Sequence, residues 1–167
     1  MSLGISPFGL VPFGLIPDNP TVVTYAYARP SSDVTDAGWV NESGNNTNLY
    51  DSINETSPSD SDYIVSSVGG VGSDECEVGL SSVSDPSTGN NHHVSYRYAK
   101  INIDGIPIID LTVTLVEGTT IIATWFHHNI GTTLVTAVQN LTTGEANSIS
   151  DYTNLRLRFK RTAVAFV

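Results

Sequence analysis

From residue 21 onward, apolar and polar residues alternate in short runs, which is the period of a β-strand with one buried face. Turn-forming residues separate these runs, most densely at residues 85–91 and in the Glu117-Gly118-Thr119-Thr120 connection. We predict strands at residues 22–28, 62–66, 75–80, 94–101, 111–115, 121–127, 134–139 and 155–160. One helical turn is predicted at residues 48–53 and one short helix at residues 143–149.

The run at residues 155–160 has the clearest alternation. Three apolar side chains fall on one face and three cations on the other: Leu155, Leu157 and Phe159 against Arg156, Arg158 and Lys160. This pattern predicts a strand with one face in the core and the other in water.

Seven or eight short strands with almost no amphipathic helix predict an all-β fold, an antiparallel two-sheet β-sandwich of jelly-roll type. Closure into a barrel stays open. Parallel α/β architecture is excluded because no helical pattern of 10 to 15 residues separates the strands. We assign the β-sandwich domain to residues 21–167 and an extended N-terminal arm to residues 1–20.

The arm repeats one motif, Pro7-Phe8-Gly9-Leu10 followed by Pro12-Phe13-Gly14-Leu15. Prolines at this spacing forbid a helix and favour an extended chain. The arm either folds back on its own domain or lies in a groove of another subunit, and its lack of a periodic face favours the second. The predicted partner-binding residues are Leu3, Ile5, Phe8, Leu10, Val11, Phe13, Leu15 and Ile16.

The charge distribution restricts the partners. A formal net charge of -10 repels phosphate backbones and anionic lipids, so we expect neither nucleic acid nor a membrane as a partner. Residues 33–85 hold eleven acidic and no basic side chains, whereas Arg156, Arg158, Lys160 and Arg161 lie near the C-terminus. This asymmetry either orients copies in an assembly or reflects solvated loops and one exposed strand face.

Catalytic motifs are missing from the sequence: it has no nucleophile elbow, no phosphate-binding Gly-Lys-Ser/Thr loop and no His-Glu-x-x-His helix. The single cysteine, Cys76, is interpreted as a small buried hydrophobic residue rather than a nucleophile. We therefore expect a non-enzyme without a cofactor.

Histidine pairs, acidic clusters and aromatic residues are the candidate metal and sugar ligands of the sequence. The pairs His92-His93 and His127-His128 each offer at most one zinc ligand to a site, and exposed histidines at strand ends are the simpler interpretation. The acidic clusters at residues 60–62 and 74–77 do not match a calcium loop, which favours solvated acidic loops. Trp39, Trp125 and the seven tyrosines suit either a sugar-stacking platform or the core, and their alternation with aliphatic residues favours the core.

Several segments resemble a module common among structural proteins of tailed bacteriophages. They are Arg29-Pro30-Ser31-Ser32-Asp33-Val34, Gly38-Trp39, residues 49–55, 59–64, 94–97 and 111–125, and Ile149-Ser150-Asp151-Tyr152-Thr153-Asn154-Leu155-Arg156-Leu157. The resemblance spans about residues 29–159 and implies a virion protein of β-sandwich type, without assigning a functional residue.

Together these patterns lead to the hypothesis of a capsid decoration or cement protein in the virion, whose arm binds the major capsid protein or other virion subunits. We also expect it to form a homo-oligomer. The alternative is a carbohydrate- or receptor-binding module of a tail or fibre, which requires exposed aromatic residues beside polar loops.

Overall fold

The computed structural model describes residues 25–66, 71–101 and 108–164. The strands in these ranges are β1 (Pro30–Thr35), β2 (Trp39–Asn41), β3 (Ile64–Ser66), β4 (Gly72–Leu80), β5 (His93–Tyr98), β6 (Ile108–Glu117), β7 (Thr120–His127), β8 (Val135–Asn140) and β9 (Leu155–Val164). A 3-10 turn at Leu49–Ile53 and a short helix, α1 (Thr143–Ser148), lie between strands. The predicted β-rich, antiparallel class is confirmed, because all strand pairs are antiparallel.

The largest sheet has five strands in the order β1-β4-β9-β6-β7, so β9 is its central strand. Along its length β9 pairs with β4 on one side and β6 on the other. Leu157 lies opposite Val78 and opposite Leu115, and all three are buried. We call the face that carries Leu155 and Leu157 the inner face, and the opposite face the outer face.

Two small sheets accompany the large one, β2 with β3 and β5 with β8. From β5, Val94, Tyr96 and Tyr98 pack against the main apolar cluster, which includes Leu111 and Leu157. The β2–β3 pair contributes Trp39 and Ile64 to a second cluster around Leu49 and Cys76, and Phe159 packs against both clusters. The core therefore lies on the inner face of the five-stranded sheet.

Local sequence signals explain the connections. Gly118 has φ +59° in the β6–β7 hairpin, and a Cβ there would lie 3.1 Å from Asn154 Nδ2, so the turn requires glycine. At α1, the Thr142 hydroxyl accepts from the Glu145 N–H, and the Glu145 carboxylate accepts from the Thr142 N–H. This capping box ends the preceding strand and starts the predicted helix.

The strand predicted at residues 22–28 differs from the structure. Among the described residues the first strand begins at Pro30, because Tyr25–Ala28 are not in a strand. Residues 22–24 of the predicted strand lie outside the described residues. Proline is compatible with the first position of an edge strand, where its missing N–H costs nothing. On β9 the cationic face is the more exposed one, as predicted, although Arg156 and Arg158 are partly covered and Lys160 is the exposed cation of the three.

Leu157→Ala tests the role of β9 as the centre of the core. We expect the free energy of unfolding to fall by roughly 2–5 kcal/mol, because Leu157 is buried between two neighbouring strands. Urea denaturation followed by circular dichroism measures it. The matched control is Leu134→Ala, which removes a largely exposed leucine and should cost less than about 1 kcal/mol. Equal losses in the two variants would contradict the assignment.

Candidate functional site

The predicted partner-binding residues of the arm lie outside the described residues, so their role stays a prediction. The described part of the chain has four features that are candidates for a functional site: a histidine bridge, a ladder of charges, two shallow depressions and an exposed sheet edge.

The histidine bridge joins β5 to β7. Tyr96 Oη lies 2.7 Å from His127 Nε2, and Tyr98 Oη lies 2.9 Å from His127 Nδ1. A neutral imidazole has one donor and one acceptor nitrogen, so one tyrosine accepts from the ring while the other donates to it. Burial lowers the pKa of His127 and raises the pKa of Tyr96 to about 12. The three side chains thus form a hydrogen-bonded unit that joins the two strands.

This bridge corrects the expectation of exposed histidines at strand ends. His127 is half-buried on the inner face, and His92 Nε2 lies 2.8 Å from the hydroxyl of the buried Tyr152. His128 is exposed and places Nδ1 2.8 Å from an oxygen of the buried Asp110. The period-2 spacing of Tyr96 and Tyr98 signals a shared face, but nothing in the linear sequence signals that His127 lies opposite them.

The charged ladder lies on the outer face between β4 and β9. Glu77 is buried, and its carboxylate accepts from Arg158 Nε at 2.8 Å and from Arg156 Nη1 at 3.2 Å. Glu75 lies 3.3 Å from Arg158 Nε. The acidic cluster at residues 74–77 is therefore part of a strand and not a solvated loop, since β9 supplies its counter-charges.

Asp74 and Arg161 form a further ion pair on the inner face. Arg161 Nη1 lies 3.2 Å from Asp74 Oδ1, and both side chains are buried. Two charges removed from water are tolerated only as a pair, so this contact fixes β4 against β9 but presents no charge to a ligand.

Cys76 lies on the same strand and is fully buried, as predicted. Burial, aided by nearby Asp74, Asp33 and Glu75, raises the pKa of its thiol well above the usual range. A thiol nucleophile needs a lowered pKa and access to substrate, so Cys76 packs as an apolar residue.

Two shallow depressions mark the surface. One, of about 560 Å³, is lined by residues 82–85 and 150–153. The other, of about 390 Å³, is lined by polar side chains between Asn41 and Ser52 and by Asp62. Within the described ranges, no group of three or more His, Cys, Asp or Glu side chains is close enough to share a metal ion.

The exposed sheet edge is strand β7. Ile121 and Phe126 are 61% and 62% exposed, and the strand contains no Asp, Glu, Lys or Arg. A second exposed apolar feature precedes β1, where the rings of Tyr25 and Tyr27 lie 6.5 Å apart and Arg29 stacks over Tyr27. In contrast, Trp39 and Tyr152 are buried, in line with the predicted core role of the aromatic residues.

Comparison with protein-family models, with curated proteins and with solved structures gave no match. No helix in the described part of the chain is both long enough and apolar enough to cross a bilayer.

The lowered pKa of His127 predicts a pH-dependent stability. The unfolded chain binds a proton near pH 6.5 and the folded chain only at lower pH, so the free energy of unfolding falls as pH drops below about 6.5. Denaturation at pH values between about 8 and 5 measures this slope. His127→Gln, which keeps a donor and an acceptor, should reduce it, whereas His93→Gln at an exposed position should not. Identical slopes for wild type and His127→Gln would contradict the bridge.

Proposed function

We propose that this chain is a structural protein of a tailed-bacteriophage virion, a capsid decoration or cement protein that binds and stabilises the shell through its N-terminal arm. The β-rich body acts as a scaffold, and we propose that the five-stranded sheet and the β5–β8 sheet form the two layers of a jelly-roll-like sandwich. The contacts of Val94, Tyr96 and Tyr98 with the main core support this arrangement.

The observation that carries the proposal is that buried and half-buried polar side chains of the described strands bind other side chains of the same chain. Glu77, Asp74, Asp110 and His127 are all paired with other side chains of the same chain. Groups arranged in this way stabilise a scaffold, whereas a catalytic site needs convergent groups that can reach a substrate. Four of the exposed large apolar side chains lie on β7 and on the segment before β1, namely Ile121, Phe126, Tyr25 and Tyr27.

The arm supplies the proposed contact with the shell. Its eight apolar residues are spaced by prolines, so a groove can receive it as an extended chain without the cost of unwinding a helix. Each large side chain that becomes buried there contributes about 1.5–3 kcal/mol. Burial of several such side chains is needed to exceed the loss of translational and rotational freedom on association.

The test is to delete residues 2–20 and to measure binding to shells that lack this protein. We expect binding to weaken by more than about tenfold, and Phe8→Ser with Phe13→Ser should reproduce most of the loss, because two phenylalanines leave the interface. Asp18→Ala with Asn19→Ala is the matched control that keeps the apolar residues and should bind normally. Full binding by the deleted chain would reject the role of the arm.

A second candidate function is binding of a carbohydrate or receptor on a tail or fibre. Tyr25 and Tyr27 favour it, because they are 57% and 63% exposed and place two aromatic rings side by side next to Arg29. Flat aromatic rings beside a polar donor are suited to stacking against a sugar.

A glycan array separates the two functions. If the ring pair binds sugars, the wild-type chain gives signals that Tyr25→Ala with Tyr27→Ala removes, since the variant loses both stacking surfaces. Tyr63→Ala, which removes another exposed tyrosine, should leave those signals unchanged. An array without any signal from the wild type would remove this candidate.

A further inference from the structure

The two edge strands of the five-stranded sheet, β1 and β7, are protected to different degrees against pairing with another chain. Edge strand β1 begins with Pro30, shifts register twice against β4 and carries Asp33, whose carboxylate accepts the N–H groups of Leu49 and Tyr50. Proline, bulges, charge and a covering turn are the devices by which proteins prevent an edge from pairing with another chain. The β1 edge is therefore blocked.

Edge strand β7 has fewer of these devices, although α1 contacts part of it. It runs for eight residues without a proline or a formal charge, and its register with β6 is unbroken from Ala123 to His127. The one register shift lies at the hairpin end, where Ser150, just beyond α1, also donates to Glu117. Among the described residues, β6 is the only strand paired with β7. Within the described ranges, the half from Ala123 to His127 is thus a regular edge without a second paired strand.

We infer that this edge pairs antiparallel with β7 of a second copy, which joins two five-stranded sheets into one continuous sheet about a two-fold axis. Such pairing is self-complementary, because each copy offers the same strand and no second surface is needed. The backbone N–H and C=O groups of the free edge then acquire partners.

Charge selects a second copy as the occupant. Each chain carries a net charge of -10, so two copies repel unless they meet where neither has acidic groups. Of the five strands in the large sheet, β7 alone contains no Asp, Glu, Lys or Arg. A basic partner would gain nothing from this uncharged edge, whereas a like-charged copy avoids repulsion there.

The size of the contact sets its strength. A strand pair of five to eight residues spans about 17–27 Å and buries less than a standard protein interface. The isolated protein should therefore be in a concentration-dependent equilibrium between monomer and dimer. This inference goes beyond the proposed decoration function and does not require a shell.

Sedimentation equilibrium of the full chain tests it at about pH 8 and concentrations of roughly 10–500 μM, a range that covers weak interfaces. The wild-type mass should rise towards that of a dimer. Thr124→Lys and Thr124→Glu, at an exposed position of the edge, should each remain monomeric because like charges then meet across the axis. An equal mixture of the two variants should regain the dimer.

Thr136→Lys is the matched control, since Thr136 is an exposed threonine on β8 and its substitution should leave the dimer unchanged. Circular dichroism checks that each variant is folded, and Phe126→Lys replaces Thr124→Lys if the latter is not. A wild type that stays monomeric up to the highest concentration, or charged variants that associate as the wild type does, would overturn the inference. Because the measurement contains no shells, a negative result here leaves the decoration function standing, and failure of shell binding leaves the dimer standing.

Discussion

The structure depends on β9, because both of its edges pair with neighbouring strands and the side chains on both of its faces must fit those of β4 and β6. Its apolar positions place Leu157 against Val78 and Leu115, while its cationic positions place Arg156 and Arg158 beside the buried Glu77. A shift of one residue in this register would turn the cations into the core and the leucines outward. The sheet order and register therefore follow from one alternating run.

The buried charges add specificity to that arrangement. Glu77 without its arginines would leave an unpaired carboxylate out of water, which is far more costly than a poorly packed methyl group. β4 must consequently lie next to β9 and nowhere else in the sheet. The same contacts bring part of the acidic segment at residues 33–85 against the basic C-terminal strand, so these two charged regions meet within one molecule and do not form opposite poles.

Sequence patterns predicted the elements better than their contacts. The β6–β7 hairpin and α1 follow from local signals, a glycine turn and a capping box that act over a few residues. The extent of β9 did not follow, because Arg161 occupies an inner-face position and only its pairing with Asp74, 87 positions earlier in the chain, makes a charge acceptable there. Ion pairs between residues so far apart in the chain produce no periodic pattern in the sequence.

The misplaced first strand and the unpredicted histidine bridge have the same physical origin. Tyr25–Ala28 have high β propensity, yet a strand exists only where a neighbour supplies hydrogen bonds, and β4 supplies them from Pro30 onward. Similarly, His127 follows the alternation of β7, but its two tyrosine partners come from β5 in another sheet. Predicting the candidate site therefore required the tertiary arrangement.

The ion pairs between β4 and β9 also determine where the surface carries unbalanced negative charge. Asp74, Glu75 and Glu77 are paired with arginines of β9, so these three carboxylates no longer contribute unbalanced negative charge at the sheet. Unpaired acidic groups then concentrate in loops, where they keep copies apart at most approaches. Two copies can therefore approach closely only at strands without charged side chains. Among the described strands of the large sheet, β7 is the uncharged one, and it lies at an edge. The same ion pairs that fix β9 in the core thus determine which edge can meet another molecule.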